Sequence, residues 1–160
     1  MNAKTPYLTA VISVAILLFI IFLGYTYYAD AKAIEQVYAT VETIDQINPK
    51  FSKATITFTL NITNPSTRDV NKLSSTFDLY IENNYIGSGS FSNLSIPSQT
   101  NKFKQVSMTV EYKGIADSVV DILKNWAGGQ NTTMNVDGTM TASILFGLAT
   151  ASHDYIAKPV

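Results

Sequence analysis

Few residues of this 160-residue chain stand in patterns that carry out catalysis or bind metal ions. It contains no cysteine and a single histidine, His153, which excludes disulfides, thiolate metal sites and cysteine nucleophiles. A metal site at His153 would need carboxylate partners, and Asp154 and Asp137 do not stand at a typical ligand spacing. We therefore expect no metal site and no cofactor, and we interpret His153 as a surface or strand-end residue.

Paired carboxylates and a glycine-serine motif are the other candidates for chemistry. Asp117 and Asp121 stand four residues apart on a predicted helix, a spacing that suits acid–base work. They lie opposite the apolar stripe of that helix, however, where charged residues are usually solvated. The run Gly87-Ser-Gly89 lacks the lysine and the strand-to-helix context of a phosphate-binding loop. No G-x-S-x-G motif and no second histidine complete a triad, so we predict no catalytic residues and no enzyme.

The charge balance narrows the range of partners. The net charge is −1, so there is no basic field for nucleic acid and no acidic tail for a basic partner. Charged residues make up 14% of the chain, against roughly 25% in typical soluble domains. Ser and Thr supply 32 residues and Asn another 12. We therefore expect a largely uncharged polar surface and no nucleic-acid partner.

The amino-terminal residues indicate a membrane anchor. The run Thr5–Ala29 has no charge, and its centre, Leu8–Gly24, contains twelve Leu, Ile, Val or Phe residues. Because about 20 apolar residues cross the hydrocarbon core, we predict one transmembrane helix. Residues 1–32 are then the anchor and connector, and residues 33–160 are the folded domain. The alternative is a cleaved signal peptide with Ala29-Asp30-Ala31 as its cleavage site, although the apolar run is longer than a usual signal core.

The orientation of the anchor is only weakly biased. Lys4 precedes the apolar run and Lys32 follows it, so the amino terminus decides in favour of an inside amino end. The predicted location is the cell membrane, with a single pass and an extracytoplasmic carboxy-terminal domain. Sequons begin at Asn61, Asn93 and Asn131, but this is about the number that chance gives for 12 asparagines at this Ser and Thr content.

The clearest strand of the chain is Ala54–Pro65. Four large apolar residues alternate in it with Thr and Asn, which indicates a strand with one buried face, and Pro65 ends it. Similar patterns predict strands at 37–47, 72–82, 85–91, 102–112, 131–146 and 148–157. The first of these also shows helical spacing, and 92–101 is predicted as a loop.

Three further features complete the predicted fold. Asn83-Asn84 is predicted as a tight hairpin turn, and the bare sheet face at Gly87 and Gly89 predicts close approach of another backbone. Gly114–Trp126 changes to a helical period, with Trp126 as a core anchor and Gly128-Gly129 as the stop. Seven strands and one helix predict a mainly β protein, a β-sandwich with a helix crossing one end.

Several motifs of the middle region recur together in one family. A strand ends in Asn64-Pro65, and a later strand reads F-x-L-Y. Gly-x-Gly follows, and then Ile-Pro stands before a Thr. The F-x-L-Y residues are Phe77, Leu79 and Tyr80, the glycines are Gly87 and Gly89, and the last group is Ile96, Pro97 and Thr100. Because they contain this set of motifs, residues 37–160 resemble the water stress and hypersensitive response (WHy) domain of the folded, atypical late embryogenesis abundant proteins. The chain departs from the family at Asn83-Asn84, where Asn-Gly is favoured.

The resemblance implies a seven-stranded Greek-key sandwich of the immunoglobulin or fibronectin-III kind, with one helix and no catalytic residues. It also implies a role in protection during desiccation and other stress. We therefore expect a membrane-anchored, non-enzymatic protection module with client proteins or lipid surfaces as partners.

The alternative function is a structural subunit of a cell-surface filament or other homo-oligomer, because pilin-like subunits also place an apolar helix before a β-sandwich. Such subunits need a basic residue and then Gly or Ala before the apolar run, whereas this chain has Ala3-Lys4-Thr5-Pro6. The sequence does not address a receptor or adhesin role.

Overall fold

The computed structural model describes residues 5–113, 117–127 and 133–159. It contains two α-helices, seven strands and one short 3-10 turn. The helices are α1 (Thr5–Glu35) and α2 (Asp117–Ala127), and the turn is Leu145–Gly147. The strands are β1 (Tyr38–Pro49), β2 (Lys53–Asn64), β3 (Val70–Ile81), β4 (Asn84–Ile96), β5 (Thr100–Glu111), β6 (Met134–Ile144) and β7 (Ala149–Ala157).

The strands form two antiparallel sheets that pack face to face. One sheet has the order β1-β2-β5 and the other has the order β4-β3-β6-β7. The chain changes sheets between β2 and β3, between β4 and β5, and between β5 and β6, where α2 lies. This is the Greek-key connectivity of immunoglobulin-like sandwiches. The predicted seven-stranded sandwich is confirmed.

The alternation in β2 builds the centre of the core. Its inward side chains are fully buried: Ile56, Phe58, Leu60 and Ile62. Phe58 meets Phe77 of the opposite sheet edge to face, with ring centroids 5.9 Å apart, a favoured aromatic geometry. The ladder of β2 ends at Asn64, before Pro65, as the sequence predicts.

The mixed pattern of β1 has a structural cause. Val41, Ile44 and Ile47 recur every three residues, which is helical spacing, yet β1 is a strand as predicted. Its pairing with β2 shifts register between Val41 and Thr43 and again between Ile44 and Gln46. Each shift inserts one extra residue, as in a β-bulge. Residues three apart therefore face the same core.

The hairpin between β3 and β4 turns one residue earlier than predicted. The turn residues are Glu82 and Asn83, with φ of 48° and 63°, and Asn84 pairs with Ile81 in the ladder. Two successive positive φ angles fit a type I′ turn, which matches the twist of paired strands. The prediction of a turn at Asn83-Asn84 was wrong, because Asn84 is the first residue of β4. From there its Nδ2 donates a hydrogen bond to the Glu82 carbonyl at 3.0 Å and so supports the turn.

The predicted loop 92–101 is also largely wrong. Strand β4 continues to Ile96 and β5 begins at Thr100. The alternation is lost because β4 has a register shift against β3 between the pairs Leu73–Leu94 and Ser75–Phe91. Asn93 lies in that shift with φ of 59°. A bulge of this kind breaks the sequence pattern without ending the strand.

The bare sheet face at Gly87 and Gly89 is covered by side chains and not, as predicted, by another backbone. A Cβ at Gly89 would overlap the ring of Phe77, and one at Gly87 would lie 3.0 Å from Cε of Met108. The glycines therefore make room for two core side chains.

Helix α2 has the predicted buried stripe. Val119, Leu123 and Trp126 are buried and belong to the core. The predicted first residues, 114–116, and the predicted stop at Gly128-Gly129 lie outside the residues that the structure describes.

The opposite faces of β2 provide a direct test of this fold. Phe58→Ala should lower the free energy of unfolding by about 3–5 kcal/mol, because it removes a fully buried ring. Thr57→Ala removes only an exposed hydroxyl contact to Ser107 and should cost less than about 1 kcal/mol. Denaturant unfolding of both variants measures the difference. Equal losses would contradict the burial of β2.

Candidate functional site: the junction of helix and sandwich

The residues with potential chemistry lie in separate places. His153 is half-buried in β7. The neighbouring Asp154 faces outward and accepts a hydrogen bond from Thr139 Oγ1 at 2.7 Å, while Asp137 lies opposite Asp78 in the ladder. Within the described ranges, no three His, Asp or Glu side chains form a group that could hold a metal ion.

The helical carboxylates are likewise surface residues. Asp117 and Asp121 are exposed on α2. The Asp121 carboxylate stands 3.8 Å from Lys124 Nζ, and exposed pairs of this kind contribute little to stability. The candidate site is therefore a different place, where α1 meets the sandwich.

Helix α1 has two halves with different surroundings. From Tyr7 to Phe22 its large apolar side chains are exposed, and it is long and apolar enough to cross a membrane. The second half packs on the sandwich, and Thr26, Ala33 and Ile34 are buried. The expected connector from Ala29 onward is helical through Glu35. A signal sequence would meet the same criteria of length and composition.

Asn64, at the end of β2, organises the sandwich end that α1 contacts. Its fully buried side chain donates from Nδ2 to the carbonyls of Arg68 (2.7 Å), Ile96 (3.2 Å) and Pro97 (3.1 Å). Its Oδ1 accepts from the backbone N–H and the hydroxyl of Ser66, at 3.1 and 2.7 Å. A terminal amide is suited to this position because it presents donors and an acceptor together. One side chain thus joins the β2–β3 turn to the β4–β5 turn.

The Asp30 carboxylate joins α1 to that end of the sandwich. Its Oδ1 accepts from Arg68 Nη1 at 2.6 Å, and its Oδ2 accepts from the backbone N–H of Leu145 at 2.9 Å. The Arg68 guanidinium also lies 6.0 Å from the centre of the Tyr25 ring. Hydrogen bonds to charged groups contribute about 1.5–3 kcal/mol. Partial exposure of the pair places this one toward the lower end. We call this contact of α1 with the β2–β3 and β6–β7 turns the junction.

A crevice of about 630 Å³ opens beside the junction. Its walls are α1, the beginning of β3 and the β6–β7 turn. The residues that line it include Phe22, Asp30, Arg68, Asp69, Lys72 and Phe146. One wall is therefore part of the apolar helix and another is part of the sandwich.

The outer faces of both sheets carry cross-strand hydrogen bonds between side chains. Thr57 bonds to Ser107 and Thr141 bonds to Ser152, each at 2.9 Å. Other such bonds go to carboxylates, among them Asp45 on the three-stranded sheet and Asp154 on the four-stranded sheet. Hydrogen bonds from the side chains of Thr43, Gln105 and Thr59 lower the pKa of Asp45. These faces present mainly hydroxyl and amide groups to solvent.

Two of the sequence motifs, Asn64-Pro65 and the group from Ile96 to Thr100, meet at the same end of the sandwich. Asn64 bonds to the carbonyls of Ile96 and Pro97, and the Thr100 hydroxyl also donates to the Pro97 carbonyl, at 2.9 Å. Motif residues far apart in sequence are therefore neighbours. No sequence pattern indicated the pairing of Asp30 with Arg68, because an ion pair 38 positions apart leaves no local signal.

Comparisons with known proteins give structural neighbours but no family assignment. No protein-family model matches the chain, and no curated protein matches it. The chain is similar to the solution structure of AT1g01470 from Arabidopsis thaliana, with 13% identity over 75% of each chain and a TM-score of 0.45. It is also similar to the solution structure of At2g46140.1, named as a late embryogenesis abundant (LEA) protein. That identity is 15%, over 98% of this chain and 87% of that one, with a TM-score of 0.44.

A crystal structure of a protein from Archaeoglobus fulgidus is a further neighbour. It shares 11% identity over 78% of this chain and 92% of that one, with a TM-score of 0.41. The structural neighbours thus include a protein named for the LEA class, the class that the sequence motifs resemble.

The role of Asn64 can be tested against a second asparagine on the same strand. Asn64→Ala should lower the free energy of unfolding by about 2–4 kcal/mol, because buried carbonyls lose their donor. Asn61→Ala is the matched control, since Asn61 bonds only to the exposed groups Glu42 and Asn101. It should cost less than about 1 kcal/mol. Denaturant unfolding in detergent micelles measures both, and similar losses would contradict the special role of Asn64.

Proposed function

We propose that this chain is a membrane-anchored, non-enzymatic protection module of the WHy type, which acts outside the cytoplasm during desiccation and related stress. Helix α1 is a retained single-pass anchor. The sandwich is the protective part, and its partners are client proteins and lipid surfaces. The resemblance of the Asn64-Pro65 and Ile96-Pro97 motifs to those of the WHy domain supports the protective role.

The observation that carries the anchor is the burial of the last turns of α1. Cleavage within Ala29-Asp30-Ala31 would remove the buried Thr26, and cleavage after Asp30 would leave Arg68 and the Leu145 N–H without their carboxylate partner. Ionic groups that lose a partly buried partner destabilise a fold. A removable signal peptide has no need of such contacts. The junction therefore favours retention of α1.

The polar outer faces, which consist mainly of hydroxyl and amide groups, support a protective role that does not depend on one binding pocket. Hydroxyl and amide groups donate and accept hydrogen bonds, so they replace or hold water at many points of a drying surface. With a net charge of −1, the chain has no strong field that would restrict it to clients of one sign. Protection of this kind is spread over the surface.

Membrane fractionation tests the anchor. The full-length chain should pellet with membranes and resist alkaline extraction, whereas a chain that begins at Thr26 keeps Asp30 and should be released. The reason is that apolar residues buried in hydrocarbon are not extracted by a change of pH. Release of the full-length protein by alkali alone would contradict the anchor. Loss of roughly the first 30 residues from the mature protein, seen by mass spectrometry, would instead establish the signal peptide.

A drying assay tests the protective function. A labile enzyme dried with residues 26–160 should keep more activity than the same enzyme dried with an equal mass of an unrelated β-sandwich protein. His153→Ala and Asp117→Ala should retain the full benefit, because neither side chain is assigned a catalytic role. No benefit over the unrelated protein would contradict the proposal. Loss of the benefit in either variant would point to a specific site.

The filament alternative has its own outcome. If the chain is a filament subunit, the detergent-free full-length protein should form ordered polymers, and the chain that begins at Thr26 should form none. Negative-stain imaging decides this point. Ordered filaments would replace the anchored module as the proposed function.

A further inference from the structure

We propose that the β6–β7 tip, Leu145–Leu148, is a second membrane contact that inserts Phe146 and Leu148 among neutral phospholipids beside α1. The inference rests on the proposed retention of α1 as a membrane anchor. It adds to that anchor a contact made by the folded domain itself.

The two apolar side chains of the tip are unusually exposed. Phe146 is 77% exposed and Leu148 is 79% exposed, whereas Leu145 packs against the core. Removal of side chains of this size from water is favourable. Two such side chains on one short turn form an apolar patch whose exposure to water is unfavourable.

The backbone of the tip keeps these side chains outside the sandwich. Leu145, Phe146 and Gly147 have successive positive φ angles of 51°, 60° and 90°. Only glycine adopts this region without a steric cost, so Leu145 and Phe146 hold a conformation that costs free energy. A type of turn that polar Asn and Gly residues form easily is here made with Leu and Phe. The strained conformation together with the apolar residues indicates a functional turn.

The junction places the tip at the level of the membrane surface. The base of the tip is fixed to α1 by the bond between the Leu145 N–H and Asp30. Phe146 and Phe22 line the same crevice. Phe22 precedes Asp30 by eight residues, so it lies about 12 Å farther along the helix toward the bilayer centre. Between them Tyr25, Tyr27 and Tyr28 expose their rings, as interfacial anchors do.

The charges near the tip indicate which lipids it contacts. In the crevice Asp30 pairs with Arg68, and Lys72 is accompanied by Asp69, so the positive and negative charges cancel. A basic cluster, which would select anionic lipids, does not form among these residues. The contact is therefore apolar, and phosphatidylcholine is a sufficient partner.

Site-specific fluorescence quenching tests the proposal on the full-length chain. Because the sequence has no cysteine, each introduced cysteine is the sole site for a bimane label. Phe146→Cys and Leu148→Cys report on the tip, and Val14→Cys reports on the apolar half of α1. Phe51→Cys is the matched control, since Phe51 is a fully exposed phenylalanine on the β1–β2 turn. That turn lies at the other end of the sandwich.

The labelled proteins are reconstituted into phosphatidylcholine vesicles with or without brominated acyl chains. We expect several-fold stronger quenching at positions 146 and 148 than at position 51, and strong quenching at position 14. If position 14 is quenched while positions 146 and 148 behave like position 51, the tip contact is overturned and the anchor stands. If position 14 is not quenched, the anchor fails and the tip contact fails with it.

Discussion

The attachment of α1 to the sandwich depends on one carboxylate. Asp30 receives the guanidinium of Arg68 and the backbone N–H of Leu145, so a single side chain of the helix holds two turns of the domain. Arg68 is available for this contact because Asn64, fully buried, binds the Arg68 carbonyl and fixes the turn. The apolar burial of Ala33 and Ile34 adds area to the same contact. These contacts join the helix to the sandwich.

If α1 is the membrane anchor that we propose, this attachment has consequences for how the domain is presented. A domain on a flexible linker samples many orientations, whereas a domain fixed to its anchor presents the same surfaces to the bilayer and to the solution. In the proposed arrangement, the end with Asn64 and the β6–β7 tip faces the lipid, and the polar sheet faces stand away from it. A broadly hydrated surface held close to lipid suits the protection of membranes and of nearby proteins. The fold thus connects the proposed anchor to the proposed activity.

Local sequence patterns predicted the strands and helices, but they did not predict the long-range contacts. The strand patterns, clearest in β2, and the stripe of α2 predicted a seven-stranded sandwich with one helix, because each pattern follows from the period of its own element. The bulges of β1 and β4 broke the period, so β1 had two readings and the end of β4 was assigned to a loop. The motif residue Asn64 was found by resemblance. Its partner Arg68, Asp30 and the outward Phe146 depend on tertiary placement, which no spacing in the sequence reveals.

A distance measurement shows whether helix and sandwich form one body. Nitroxide labels at Tyr28→Cys on α1 and Thr109→Cys on the outer face of β5 are both at exposed positions. Double electron–electron resonance in lipid nanodiscs then gives the distribution of distances between them. We expect one narrow distribution, which Arg68→Ala broadens because Asp30 loses one of its two partners. If the protein without the Arg68 substitution gives a distribution as broad as that of Arg68→Ala, helix and sandwich do not form one body.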